Sequence, residues 1–262
     1  MTLTQAVVLG LVQGLTEFLP VSSSGHLLLV PHVFGWADQG LAFDAMIHLG
    51  TLGALVACFR AELLALGRGG LSPRLGALIV AASVPAGLAG LAFGPDIERS
   101  LRSPVVVAAS TAVWAIVMWI ADRQARPAPA TTRRDPLDGI TWGQALAIGV
   151  AQAVALVPGT SRSGITISTG LLGGLDRATA ARFSFLLGIP ITAAAAGLKS
   201  LDIVAQGIQP GELAPMLAAL ATAFASGWFA AWFLVRYLKR RSLRPFVLYR
   251  LLLAAAVLLV AL

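Results

Sequence analysis

Charge is what this sequence has least of. Only 12% of its 262 residues are Asp, Glu, Lys or Arg, where a soluble domain carries about 25%, and that scarcity excludes an ordinary soluble globule. Cysteine is nearly absent too. Cys58 stands alone, so no intramolecular disulfide can form, and it reads as a small buried hydrophobe. The N-terminus has no basic region ahead of its first apolar run, and it carries Gln5, Gln13 and Glu17. No cleavable signal peptide is therefore expected.

In place of charge the chain carries apolar residues, at 57% of the total and a mean hydropathy of +0.83. Six stretches are long enough to cross a bilayer, which takes roughly 17 to 25 apolar residues. They run over about 41–59, 74–94, 104–121, 181–198, 213–235 and 246–262. Two further apolar regions, 1–34 and 142–174, are broken by Pro and Ser. Each reads as a re-entrant helix–turn–helix, which is tolerated at membrane depth where protein or a watery cavity surrounds the turn.

The net charge of +7 could suggest nucleic acid, but the basic residues cluster in the loops between apolar spans. Let the spans alternate sides and the re-entrant pairs return to their own side. One set of loops then holds Arg60, Arg68, Arg74, Arg123, Arg126, Arg133, Arg134, Arg177, Arg182, Arg236, Lys239, Arg240, Arg241 and Arg244. The other holds Arg99, Arg102 and Lys199, a split of 14 to 3. Lys and Arg favour the cytoplasmic side, so both termini are expected outside.

The two broken regions look like one device used twice. Subtracting 139 places Gln144 on Gln5, Ala145 on Ala6, Gly149 on Gly10 and Gln152 on Gln13. It also places Ser161 on Ser22, Ser163 on Ser24 and Gly164 on Gly25, while Pro158 misses Pro20 by one. Internal repeats at a fixed period come before any other reading of fold. Repeat 1 covers about 1–121 and repeat 2 about 142–262, joined by a cytoplasmic loop over about 122–141. Three crossings and one re-entrant pair per repeat invert the second copy, so its turn enters from the opposite side and the two can meet at the midplane. The expected fold is all-α: six transmembrane helices plus two re-entrant helix-turn-helix pairs in an inverted repeat.

Each copy sends a proline, then serines, into a new helix. Proline ends the preceding helix, serine suits the N-cap, and the free N–H groups beyond it favour an anion. The first copy adds Glu17 and His26, with Gln13 four residues before Glu17 on the same helix face. The second adds Arg162, the one basic residue expected in the middle of a membrane region. An ionisable residue at that depth is a functional candidate and needs a partner. For Arg162 that is Glu17 or a bound anion. Asp44, His48 and Asp176 sit near span ends, where solvation at the interface suffices, and Trp36, Trp142 and Trp228 suit interfaces or packing.

These residues resemble a known family. Gln13-x-x-x-Glu17, Ser22-Ser23-Ser24-Gly25-His26 and Pro158-Gly159-Thr160-Ser161-Arg162-Ser163-Gly164-x-Thr166 look like the two signature motifs of the undecaprenyl-diphosphate phosphatases of the bacitracin-resistance type. The resemblance covers nearly the whole chain, including Phe43-Asp44. It implies hydrolysis of undecaprenyl diphosphate to the monophosphate and inorganic phosphate, which recycles the lipid carrier of peptidoglycan synthesis. It also implies a divalent cation and a site open to the outer face of the bacterial plasma membrane. Gln13 stands where many members have Glu, and His48 where Gln is expected.

On that reading Arg162 clamps phosphate oxygens, with Ser22, Ser24, Ser161, Ser163 and Thr166 adding donors. Gln13 and Glu17 hold the cation, Mg²⁺ or Ca²⁺. His26 is base or nucleophile, with Ser23 as the rival nucleophile. The partners expected are a polyprenyl diphosphate and membrane lipid, with no nucleic acid and room for a homodimer. The alternative is a lipid transporter or flippase, which the inverted repeat fits equally well but which has no use for a Glu–Ser–His constellation. A lipid phosphatase of the acid-phosphatase type is disfavoured, because Ser161-Arg162 is followed by no His.

Overall fold

The computed structural model describes residues 1–37, 40–68, 70–101, 103–127, 135–206 and 211–261. Among them the chain is helical, with no strand. Helix α1 covers Leu3–Phe18, α2 Ser23–Phe34, α3 Gly40–Cys58, α4 Arg60–Arg68, α5 Pro73–Ser100 and α6 Pro104–Arg123. After a 3₁₀ turn at Pro136–Gly139 come α7 at Trp142–Val154, α8 at Arg162–Leu172, α9 at Arg177–Gln206, α10 at Leu213–Leu238 and α11 at Arg244–Ala261. Arg133 and Arg134 of the larger basic set and Arg102 of the smaller one lie outside the described residues, as does 128–134 of the connecting loop.

Four stretches are by themselves long and apolar enough to cross a membrane: Pro73–Gly94, Pro104–Arg123, Arg177–Leu198 and Leu213–Leu238. A fifth is formed by α3 and α4 if that pair, bent by 62° between Cys58 and Arg60, counts as one span. The sixth expected crossing falls on α11, which has 18 residues and carries Arg250 inside it. It is not among the helices that qualify by length and composition.

Both broken regions are short helix pairs, and the local chemistry repeats at the 139-residue spacing. Thr2 and Gln5 form a capping box at the start of α1, and Thr141 and Gln144 form the same box at the start of α7. Each box satisfies two N–H groups that a helix start leaves without partners. Gly10 of α1 lies against α10, where an added Cβ would sit 2.5 Å from the Ala219 carbonyl oxygen. Gly149 of α7 lies against α5, where an added Cβ would overlap the Ala82 backbone. Small residues let helix backbones approach closely in a membrane, where dispersion rather than water drives packing. Thus α1 packs chiefly on α10 and α7 on α5, so the first helix of each short pair is cradled by the other half of the chain.

One end of the bundle is fastened by ion pairs. Arg177 Nε donates to Asp122 at 2.6 Å, and Arg182 reaches Asp135 at 2.8 Å and Glu62 at 3.1 Å. Burial pushes the Asp135 carboxyl up, but the Arg182 hydrogen bonds and charge outweigh it and hold that group below the usual carboxylate range. Asp176 is a helix cap rather than a solvated charge, since its Oδ1 accepts from the backbone N–H groups of Ala178 and Thr179.

Candidate active site

The site is built where the two broken pairs turn. Ser22 and Ser161 are the only non-glycine residues with positive φ among those described, at 75° and 68°. Such backbone costs on the order of 1–3 kcal/mol and persists where the surroundings impose it. It recurs here at repeat-equivalent positions. Ser22 Oγ caps α2 by accepting from Gly25 N–H, and Ser161 Oγ caps α8 by accepting from Gly164 N–H. The paired hydroxyls repeat as well, with Ser22–Ser24 at 3.2 Å and Ser161–Ser163 at 3.3 Å.

The two turns touch. Gly159 N–H donates to Ser24 Oγ at 2.9 Å, and Ser163 Oγ donates to the Leu19 carbonyl at 3.3 Å. Between them lies Glu17. Its Oε1 accepts from Arg162 Nη2 at 3.1 Å, and its Oε2 accepts from Gln13 Nε2 at 3.0 Å and Ser23 Oγ at 3.2 Å. The Glu17 and Arg162 side chains are 11% and 14% exposed, so this is a nearly desolvated pair holding the end of α1 against the start of α8. Arg162 keeps one amino group idle: Nη1 is buried without a partner. It fits only because position 188 is glycine, since an added Cβ there would overlap Nη1 and lie 2.8 Å from Cζ.

His26 is held at both ring nitrogens. Nδ1 lies 2.7 Å from the Ser22 carbonyl, so it carries the proton and donates. Nε2, 2.6 Å from the Tyr249 hydroxyl, then accepts. The two rings stack at 5.6 Å. Acting as base or nucleophile would require the phenol to move away. Ser23, by contrast, already donates its proton to a carboxylate. Thr166 is turned to other work, because its hydroxyl donates to the Arg162 carbonyl and meets Ser184 Oγ at 2.6 Å in a fully buried position.

Three residues at the site are ones the sequence reading passed over or set aside. His48 donates from Nδ1 to the Asp44 carbonyl, and its Nε2 sits 3.4 Å from Gln13 Nε2. His48 therefore adjoins Gln13, one helical turn from Glu17. The other two, Tyr249 and Arg250, are neighbours on α11. The expectation that Arg162 is the single basic residue deep in a membrane region is corrected by Arg250, which is fully buried. The signal was there to find, a guanidinium inside an apolar run.

Among the described residues no three or more His, Cys, Asp or Glu gather as a metal cage. The donors at hand are the Glu17 carboxylate, the Ser23 hydroxyl and Gln13 Oε1, a buried oxygen with no hydrogen-bond partner. Buried polar atoms are rarely left so, and a lone oxygen beside a carboxylate suits a hard cation. Mg²⁺ commonly takes one or two protein carboxylates and fills its shell with water and substrate phosphate. These residues fit that kind of ion.

Residues 6–256 match the family described as Bacitracin resistance protein BacA. The chain is 45% identical to "Undecaprenyl-diphosphatase 2" of Stutzerimonas stutzeri, over 98% of each chain. It is 44% identical to "Undecaprenyl-diphosphatase" of Teredinibacter turnerae, over 97% of each. The protein of the same name from Geobacter sulfurreducens is likewise 44% identical, over 98% of each.

Proposed function

We infer the function from one premise: the chain belongs to the BacA bacitracin-resistance family. It is an undecaprenyl-diphosphatase, a membrane enzyme that removes the terminal phosphate of undecaprenyl diphosphate and leaves the lipid monophosphate. The observation that carries this reading is the Glu17 carboxylate, bonded at once to Ser23 on its own turn and to Arg162 on the other.

The residues divide the work as follows. Arg162 binds oxygens of the terminal phosphate through Nη1, the group it has free. The hydroxyls of Ser24 and Ser161 and the N–H groups that open α2 and α8 add donors for an anion. Ser23 attacks the terminal phosphorus and passes its proton to Glu17. The P–O bond to the inner phosphate breaks, and the lipid monophosphate leaves. Glu17 hands that proton to the departing lipid phosphate. Water then attacks the phosphoserine, Glu17 takes the water's proton and returns it to Ser23 Oγ as the P–Oγ bond breaks, and inorganic phosphate is released. A divalent cation held by Glu17 and Gln13 would supply charge neutralisation on the phosphate oxygens. His26, stacked on Tyr249, steadies the opening of α2. The lipid tail lies among the apolar helices, since the exposed faces of α5, α10 and α11 carry Val, Leu, Phe and Trp.

The test is phosphate release from a polyprenyl diphosphate by purified protein, with and without EDTA, and with turnover quenched to look for phosphate on Ser23. EDTA should abolish release and Mg²⁺ or Ca²⁺ restore it. Glu17→Gln should stay folded and inactive, because an amide neither takes the proton nor holds a hard cation well. Full activity of Glu17→Gln, or label on His26 in place of Ser23, would overturn these roles.

The membrane topology is six crossings with two inverted re-entrant pairs, in the bacterial plasma membrane, both termini outside and the site open to the outer face. The reciprocal packing of α1 on α10 and α7 on α5 and the split of basic residues support it. Tags at Met1 and Leu262 should be labelled on intact spheroplasts, and tags within 236–245 should not. A cytoplasmic N-terminus would refute the inverted arrangement.

A further inference from the structure

Arg250 is the largest fully buried side chain described, at 0% exposure in the middle of α11. No carboxylate among the described residues lies within ion-pairing distance of it. It spends its donors on backbone carbonyls instead. Nη2 donates to Gly159 and Thr160 at 3.0 Å each and to Thr111 at 3.2 Å, and Nε donates to Thr111 at 3.3 Å. Nη1 is buried with no partner. A charge held this way is expensive, and an apolar side chain of similar volume is often the more stable choice. Packing alone does not account for it.

Two of the three carbonyls it holds belong to the residues just before Ser161-Arg162, and the third, that of Thr111, ties the same guanidinium to α6. Gly159 is the junction. Its N–H goes to Ser24 of the first turn, and its carbonyl accepts from Arg250 and from Thr111 Oγ1. Its φ is +92°, and an added Cβ would overlap the Val107 carbonyl. Ser110 Oγ lies 3.0 Å from Thr160 Oγ1. The strained Ser161 follows at once, and then Arg162 enters α8. One residue before Arg250, Tyr249 meets His26 of the other turn. Helix α11 therefore touches both turns with adjacent residues.

We propose that Arg250 is a positioning residue for phosphate hydrolysis: it holds the Gly159–Thr160 carbonyls so that the second turn presents Arg162 and the α8 N–H groups to the substrate. This rests on the phosphatase reading. The charge adds positive potential at the same helix start without touching substrate.

The experiment compares Arg250→Lys and Arg250→Gln with wild type in detergent or nanodiscs, measuring kcat and KM for phosphate release per folded molecule, together with melting temperature. An ammonium keeps the charge and three donors but not the planar fork, so Arg250→Lys should lose about tenfold in kcat. Arg250→Gln loses the charge and most donors and should lose about 100-fold, the scale of a misplacement of ~1 Å. KM should change less than about threefold in Arg250→Lys, since the groups that touch substrate remain. Wild-type kcat in either folded variant overturns the proposal. So does a loss of activity that matches only the loss of folded protein. If Arg250→Gln does not fold, Arg250→Lys decides alone, with reduced kcat at near-wild-type KM supporting it and unchanged kcat sinking it. Failure of the wild type to release phosphate would instead strike the phosphatase reading.

Discussion

Arg162→Lys should lose phosphate release by roughly 30- to several-thousand-fold while the protein stays folded. The charge survives in this variant, and an ammonium can still pair with Glu17, which Arg162 meets at 3.1 Å. What disappears is the second amino group. Nη1 is buried and unpartnered, while Nη2 is committed to the carboxylate, so the planar fork serves Glu17 and substrate at the same time. A point ammonium cannot do both. Losing a charged partner to a buried anion costs about 2–5 kcal/mol, which sets the rate range above. Steady-state kinetics on a polyprenyl diphosphate, with circular dichroism as the folding control, checks it. Turnover at the wild-type rate would leave Arg162 as a structural partner of Glu17 and remove the phosphate clamp.

Gly188→Ala should be stable and nearly inactive, with a loss of about 100-fold. The added methyl would overlap Arg162 Nη1 and sit 2.8 Å from Cζ. Those atoms are the far end of a flexible side chain, so the guanidinium can swing aside at little cost to the fold. Alanine in place of glycine within a helix also gains up to about 1 kcal/mol, so the melting temperature should hold or rise. The displaced guanidinium, however, no longer faces the junction of the turns. Since both changes act through one group, adding Arg162→Lys to Gly188→Ala should reduce activity little further. Independent losses that multiply, or a variant as active as wild type, would show that the guanidinium's place does not depend on glycine at 188.

How much of this was legible beforehand follows from the range over which each interaction acts. The sequence alone determined the membrane class through its scarcity of charge, and the two broken helices through Pro20, Pro158 and the serines behind them. The 139-residue repeat between them was legible as well, and both turns reappear with Ser22 and Ser161 in the same strained backbone. Gln13 and Glu17 could be paired because four residues make one helical turn, and the structure joins them at 3.0 Å. Caps, turns and helix faces are set within a few residues of chain, so a linear reading reaches them.

The tertiary structure alone decided the rest. His48 joins Gln13 across 35 residues, Tyr249 meets His26 across 223, and Arg250 holds the second turn across about 90. Gly188 makes room for a guanidinium that enters from another helix. Thr166 stands inside the signature motif, yet its hydroxyl turns to Ser184. No spacing or period encodes such contacts, because packing energy is gained between surfaces that only the fold brings together.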